Sequence, residues 1–234
     1  MCGVDCLPIG DPRFTLKHSG MKVIACSMVI NEILPHLSPG VESHVLDFVM
    51  HLTPSKLRKS LQRAVDAATE KTTTILLGYG LCSQAVVGLR ANNCTLVIPK
   101  VDDCIALFLG SEQSYRAQFK AEPGTYYLTK QWIESGENLF NEYRFLEDRY
   151  GQQRARSLMF SFLKHYTRLA LINTGQLELG SSRDYCRQAA KRFGLRYEEI
   201  QGSTVLIEKL VNGPHDDDFV VIPPGGVVTY MDFK

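Results

Sequence analysis

Four residues able to ligate a metal or act as nucleophiles stand at wide, uneven spacings. They are Cys26, His51, Cys82 and Cys104, separated by 25, 31 and 22 positions. None belongs to a local CxxC pair, so only the fold can bring them together. Three thiols and an imidazole make a tetrahedral zinc set. Three thiolates alone can hold zinc with one open position, or an iron–sulfur cluster with one iron left free. Zinc is the expected metal, because the spacing lacks a ferredoxin run. Glu32, six residues after Cys26, and Asp103, next to Cys104, add carboxylates suited to an oxygen ligand or a base. The plainer reading stands beside this one. A buried cysteine is usually a small hydrophobe, and Pro54 and Leu57 can make His51 part of a helix cap.

The elements that carry these residues favour convergence. "KVIAC" is a continuous apolar run ending at Cys26, as expected for a parallel strand buried on both faces. "HVLDFVM" is a second strand, ending at His51. "TTTILLG" is a third, followed by a helix from about Cys82. "CTLVIP" is a fourth, followed by the short helix "DDCIALFLG" with Asp102 near its cap. Between the second and third strands, "SKLRKSLQRAVDAATEK" places Leu57, Leu61, Val65 and Ala68 on one helical face. Four βα units in a row predict a parallel, Rossmann-like sheet flanked by helices. All four strand ends then share the carboxyl edge, where open α/β sheets bind ligands.

The rhythm changes after residue 110. "SEQSYRAQF", "QWIESGENLFNEYRFLEDRY" and "QQRARSLMFSFLKHY" read as helices, interrupted by an extended piece in "PGTYYLT". From Arg168 the α/β alternation returns, with strands "LALINTG", "RYEEIQG" and "DFVVIPPGG". The expected organisation is a flexible leader over 1–20, a first α/β lobe with the cysteine site over 21–110, a mainly helical segment over 111–167 and a second α/β lobe over 168–234. The turns "INTG" and "IPPGG" can complete a pocket facing the cysteines or simply end strands.

"LLGYGLC" adds Gly78 and Gly80 as candidate cofactor-binding positions. The stretch lacks GxGxxG spacing and a GK[ST] sequence, so a phosphate loop is disfavoured. Its glycines suit close backbone approach. "PGTYYLT" with Trp132 offers aromatic surface for a planar ligand, or core packing. Cys94 and Cys186 fall away from the carboxyl edge and read as structural. Cys2 and Cys6 lie in the leader.

The charge balance, with 26 basic and 25 acidic residues, leaves no electrostatic footprint for nucleic acid. No apolar run reaches the roughly 18 residues of a membrane span. The start lacks the pattern of a signal peptide. Seven dispersed cysteines argue against a secreted disulfide framework and for reduced thiols in a cytoplasm.

Taken in order, "ACSMVINEI", "HLTPSKL", "LLGYGLC", "VIPKVDDCIALFLGS", "PGTYYLTKQWIE" and "DFVVIPPGG" resemble the family catalogued as domain of unknown function 1638, over about Met21 to Val228. The resemblance implies a cytoplasmic prokaryotic or archaeal protein, often encoded beside corrinoid-dependent methyltransferases. It brings no catalytic residues. The expected function is therefore a metal-binding protein linked to corrinoid-dependent methyl transfer or one-carbon metabolism. If it is an enzyme, it is a metal-dependent transferase moving methyl to or from a thiol. The alternatives are a metal-free two-lobed enzyme with a cysteine acid/base, or a non-catalytic accessory protein binding a corrinoid or small ligand. A small-molecule ligand and a corrinoid protein or methyltransferase are the expected partners, and the oligomeric state is open.

Overall fold

A computed structural model describes residues 20–68 and 71–234. The expected leader, with Cys2 and Cys6, lies outside the described residues except for Gly20.

Strand β1 (Met21–Cys26) leads through a short helix α1 (Ile30–Ile33) to β2 (Glu42–Leu46), then through helix α2 (Pro54–Asp66) to β3 (Thr74–Gly78). Strand β4 (Thr95–Pro99) follows, then α3 (Cys104–Leu109) and α4 (Glu112–Ala121). The next segment holds β5 (Thr125–Leu128), α5 (Lys130–Ser135), α6 (Leu139–Tyr150) and α7 (Gln152–Leu163). The chain closes with β6 (Arg168–Asn173), α8 (Gly180–Phe193), β7 (Arg196–Gln201), α9 (Val205–Asn212) and β8 (Phe219–Ile222).

Two sheets form. The first has the order β2-β1-β3-β4-β8, and its first four strands run parallel. The second is parallel throughout, in the order β5-β6-β7. The fold is thus α/β with two flanked sheets. The apolar runs explain it: Val23, Ile24 and Ala25 in β1, and Ile75, Leu76 and Leu77 in β3, are fully buried. Such strands are covered on both faces, as parallel sheets require. Helix α2 starts at Pro54, where a missing N–H costs nothing. It buries Leu57, Leu61, Ala64 and Val65 on one stripe.

Four expectations are corrected. "DFVVIPPGG" does not end the second sheet. As β8 it pairs antiparallel with β4, from Leu96 against Ile222 to Pro99 against Phe219. Its backbone N–H and C=O groups pair with the β4 edge of the first sheet, which would otherwise stay unpaired. Strand β2 stops at Leu46, short of His51. Asp47 then accepts a hydrogen bond from the Val49 amide and starts a 3-10 turn over Phe48–Leu52. No helix begins at Cys82, where the backbone turns left-handed. Finally, the cap of α3 is Asp103, not Asp102: its carboxylate accepts from the Ile105 amide at 2.8 Å. Asp103→Ala is expected to cost about 1 kcal/mol, read from urea unfolding.

Candidate thiol site at the carboxyl edge

The chain leaves β1 for β2 on one side and returns to β3 on the other. Strand order reverses between β1 and β3, the kind of switch point at which open α/β sheets bind ligands. Cys26 closes β1, Tyr79 and Cys82 follow β3, and Cys104 opens α3 just after β4. The three thiols converge: each is close enough to raise the proton affinity of another. Tyr79 is fully buried near them, and all three raise its proton affinity. Its hydroxyl has no hydrogen-bond partner among the described residues. His51 joins through its ring, which stacks on Tyr79 at 5.9 Å and on Phe48 at 5.1 Å.

Local backbone places Cys82. A Cβ on Gly80 would stand 2.7 Å from the Val101 carbonyl oxygen. Only glycine lets this loop lie against the loop after β4. The Leu81 amide then donates to Val101 O at 2.8 Å, and the Cys82 amide to Asp102 O at 3.0 Å. Next come three successive non-glycine residues at positive φ, Cys82 at 45°, Ser83 at 54° and Gln84 at 64°. The left-handed region costs an L-residue roughly 1–2 kcal/mol, and such strain gathers at functional sites. Gln84 is exposed. Gln84→Gly is therefore expected to stabilise the fold by about 0.5 kcal/mol, net of glycine's own entropy cost, as a small rise in melting temperature.

Burial keeps the thiols protonated. It pushes Cys26 up to about 11 despite the Met28 amide donating to its sulfur. It pushes Cys82 up to about 12, with negative charge on Asp103 and Cys26 adding to the effect. Cys104 is raised further by burial, then by Cys82 and Asp103. Burial lowers the pKa of His51, so its imidazole is neutral near pH 7. Its Nδ1–H donates to the Phe48 carbonyl at 3.1 Å, because a carbonyl can only accept. That tautomer leaves Nε2 as an acceptor or ligand.

The family model described as "Protein of unknown function (DUF1638)" matches residues 45–211. The chain belongs to this family. No curated protein and no solved structure matches it. Of the candidate residues, the DUF1638 match takes in His51, Gly78, Gly80, Cys82, Asp103 and Cys104 and stops short of Cys26 and Glu32.

In this DUF1638 chain the remaining candidates sit as follows. Glu32 is buried, and its carboxylate accepts from the Thr174 hydroxyl at 2.9 Å and from the Gln176 amide at 2.6 Å. It ties α1 to the "INTG" turn beyond β6 rather than pointing a free oxygen at the thiols. Asp103 is nearer, and its acid is weakened first by burial and then by Asp102 and Glu112. Gly78 packs against the core, since a Cβ there would meet Ala25 at 2.7 Å and Ile33 at 2.8 Å. Gly80 likewise faces the chain's own backbone. Cys94 and Cys186 are buried away from the cluster.

Among the described residues, no three His, Cys, Asp or Glu side chains are drawn into metal-holding geometry. The chemistry of the donor set nevertheless fits a soft cation. Three thiols that resist ionisation, two buried and Cys104 partly buried, a neutral imidazole with Nε2 free and an unpartnered phenol all lack a positive charge nearby. Sequence reasoning missed Tyr79. Its signal was present: the tyrosine directly follows a strand buried on both faces, on the carboxyl edge that carries the thiols.

Proposed function

We propose that Cys26, Cys82 and Cys104 hold a zinc ion, with His51 completing or flanking the set, in a cytoplasmic protein serving corrinoid-dependent methyl transfer. The convergence of three thiols at the switch between β1 and β3 carries this reading. Zinc, when bound, would lower a ligating thiol's pKa and keep it as a thiolate for alkyl attack. The chain's residues would do the rest. The left-handed turn fixes Cys82, the Phe48 carbonyl orients His51, and burial excludes water. Asp103, close enough to oppose thiol ionisation electrostatically, would take up the released proton.

Elemental analysis of anaerobically purified protein tests it. One zinc per chain is expected, with affinity falling at least tenfold on Cys82→Ser or Cys104→Ser, roughly the cost of disturbing a ligand shell. Circular dichroism checks that each variant folds. Protein that stays metal-free after incubation with zinc overturns the proposal. Brown protein with visible absorbance replaces zinc with an iron–sulfur cluster. Methyl transfer from a methylated corrinoid to a thiol acceptor, with a methyltransferase or corrinoid protein as partner, then tests the transferase activity.

One observation favours a second reading, a non-catalytic accessory protein that binds a small ligand or corrinoid. An open cavity adjoins the thiol cluster through Asp103.

A further inference from the structure

This cavity, of 580 Å³, lies between the carboxyl edge of the first sheet and strand β5. Phe48 and Asp103 line it from one side, Tyr126 and Tyr127 from β5, and Trp132 from α5. The rings are fixed by one another. Trp132 meets Phe48 edge-on at 6.0 Å and Phe108 at 5.8 Å, and Tyr127 packs on Tyr115 at 6.5 Å. The Tyr127 hydroxyl is buried without a partner among the described residues.

Its charge has one sign. Besides Asp103, the acids Glu137 and Glu142 reach the lining, and both are exposed. Among the described residues, no Lys, Arg or His lines the cavity, and none of these three acids forms an ion pair. Arg168 lies behind Tyr127, but Glu122, Glu198 and Thr125 hold its guanidinium.

Aromatic faces with nearby carboxylates select a ligand class. Ring faces attract cations, and a cation that keeps a tight water shell gains least from them. An ammonium whose hydrogens are replaced by alkyl groups is weakly hydrated and apolar on its surface. It suits the rings, and its charge answers the acids. We infer that this cavity binds a small alkylated ammonium ion. The inference goes beyond the zinc reading and holds whether or not the thiols carry a metal.

The chain has one tryptophan, and it lies in the cavity wall, so emission from the intact protein reports occupancy directly. Choline is titrated at constant ionic strength against 3,3-dimethylbutan-1-ol, its uncharged isostere. A saturable change with choline is expected, with the alcohol binding about tenfold more weakly, as a desolvated cation–π contact predicts. Glu142→Gln should weaken choline by roughly two- to fivefold, as loss of an exposed charge does, and leave the alcohol unchanged. Tyr127→Leu should weaken choline by about tenfold through the lost ring face. Equal binding of choline and alcohol, or no saturable change with choline, overturns the inference. A far-UV spectrum checks each variant's fold. The wild-type comparison of the two ligands tests the inference without any variant.

Discussion

Raising the pH from about 8 to about 11 is expected to cost the metal-free protein on the order of 5 kcal/mol of folding stability through Cys26 and Cys82. Burial lifts Cys26 to about 11 and Cys82 to about 12 from a usual value of 9.0. Below pH 9 both are protonated in the folded and unfolded chain alike, and their favourable contribution is fully present. Above pH 9 the unfolded chain releases these protons first. It then binds fewer protons than the native state, so stability falls as pH rises. The loss runs through the window from about 9 to about 12. Cys26 alone accounts for about 2 kcal/mol at pH 11. Tyr79, raised by burial and by the three cysteines, adds to the same slope. Urea unfolding across this range tests it against Cys26→Ser and Cys82→Ser. Each variant should show a shallower decline than wild type, whatever its stability at pH 8. Parallel slopes would mean that these thiols do not sit in the low-dielectric cluster described.

Much of this arrangement is legible in the chain, and the limits have physical causes. Continuous apolar runs identify β1, β3 and β4, because a strand buried on both faces leaves no polar positions to confuse the reading. Their shared carboxyl edge then follows from parallel topology, and with it the approach of Cys26, Cys82 and Cys104. The run "DFVVIPP" is just as clear as a strand, but an apolar run carries no information about its partner, and β8 crosses back to β4. The segment after Cys82 misleads for another reason. "SQAVVGL" has helical spacing, yet its loop is tied to Val101 and Asp102, and those long-range hydrogen bonds outweigh local propensity. His51 reads as a strand end because "HVLDFVM" is apolar apart from His44 and Asp47. Asp47, capping the turn that follows, is the residue that stops the strand. Glu32 looks like a free carboxylate only while Thr174 and Gln176, more than 140 positions away, are out of view.

The sharpest test of how the fold builds the site leaves every candidate ligand in place. Gly80→Ala adds one methyl group where 2.7 Å separates the new Cβ from both the Val101 carbonyl oxygen and its Cγ2. A backbone oxygen cannot rotate aside like the end of a side chain. To make room, the loop after β3 must lift from the loop after β4. The bonds from Leu81 N to Val101 O and from Cys82 N to Asp102 O then stretch or break. Overpacking of this kind costs roughly 1–3 kcal/mol, and each lost buried hydrogen bond adds about 1 kcal/mol. A destabilisation of about 3 kcal/mol is therefore expected in urea unfolding. The consequence for chemistry is larger than for stability. Cys82 moves with the lifted loop, away from Cys26 and Cys104, so on the proposed zinc reading the variant should lose zinc binding with all three thiols and His51 intact. Cys82 should also react faster with iodoacetamide at neutral pH, because water reaches its sulfur and the penalty on its thiolate falls. A Gly80→Ala protein that folds, binds zinc as tightly as wild type and leaves Cys82 unreactive would show that the two loops do not set the position of the thiol. Gly78→Ala provides the contrast, since its Cβ would strike Ala25 and the flexible end of Ile33 within the core. It should weaken the fold without preferentially exposing Cys82.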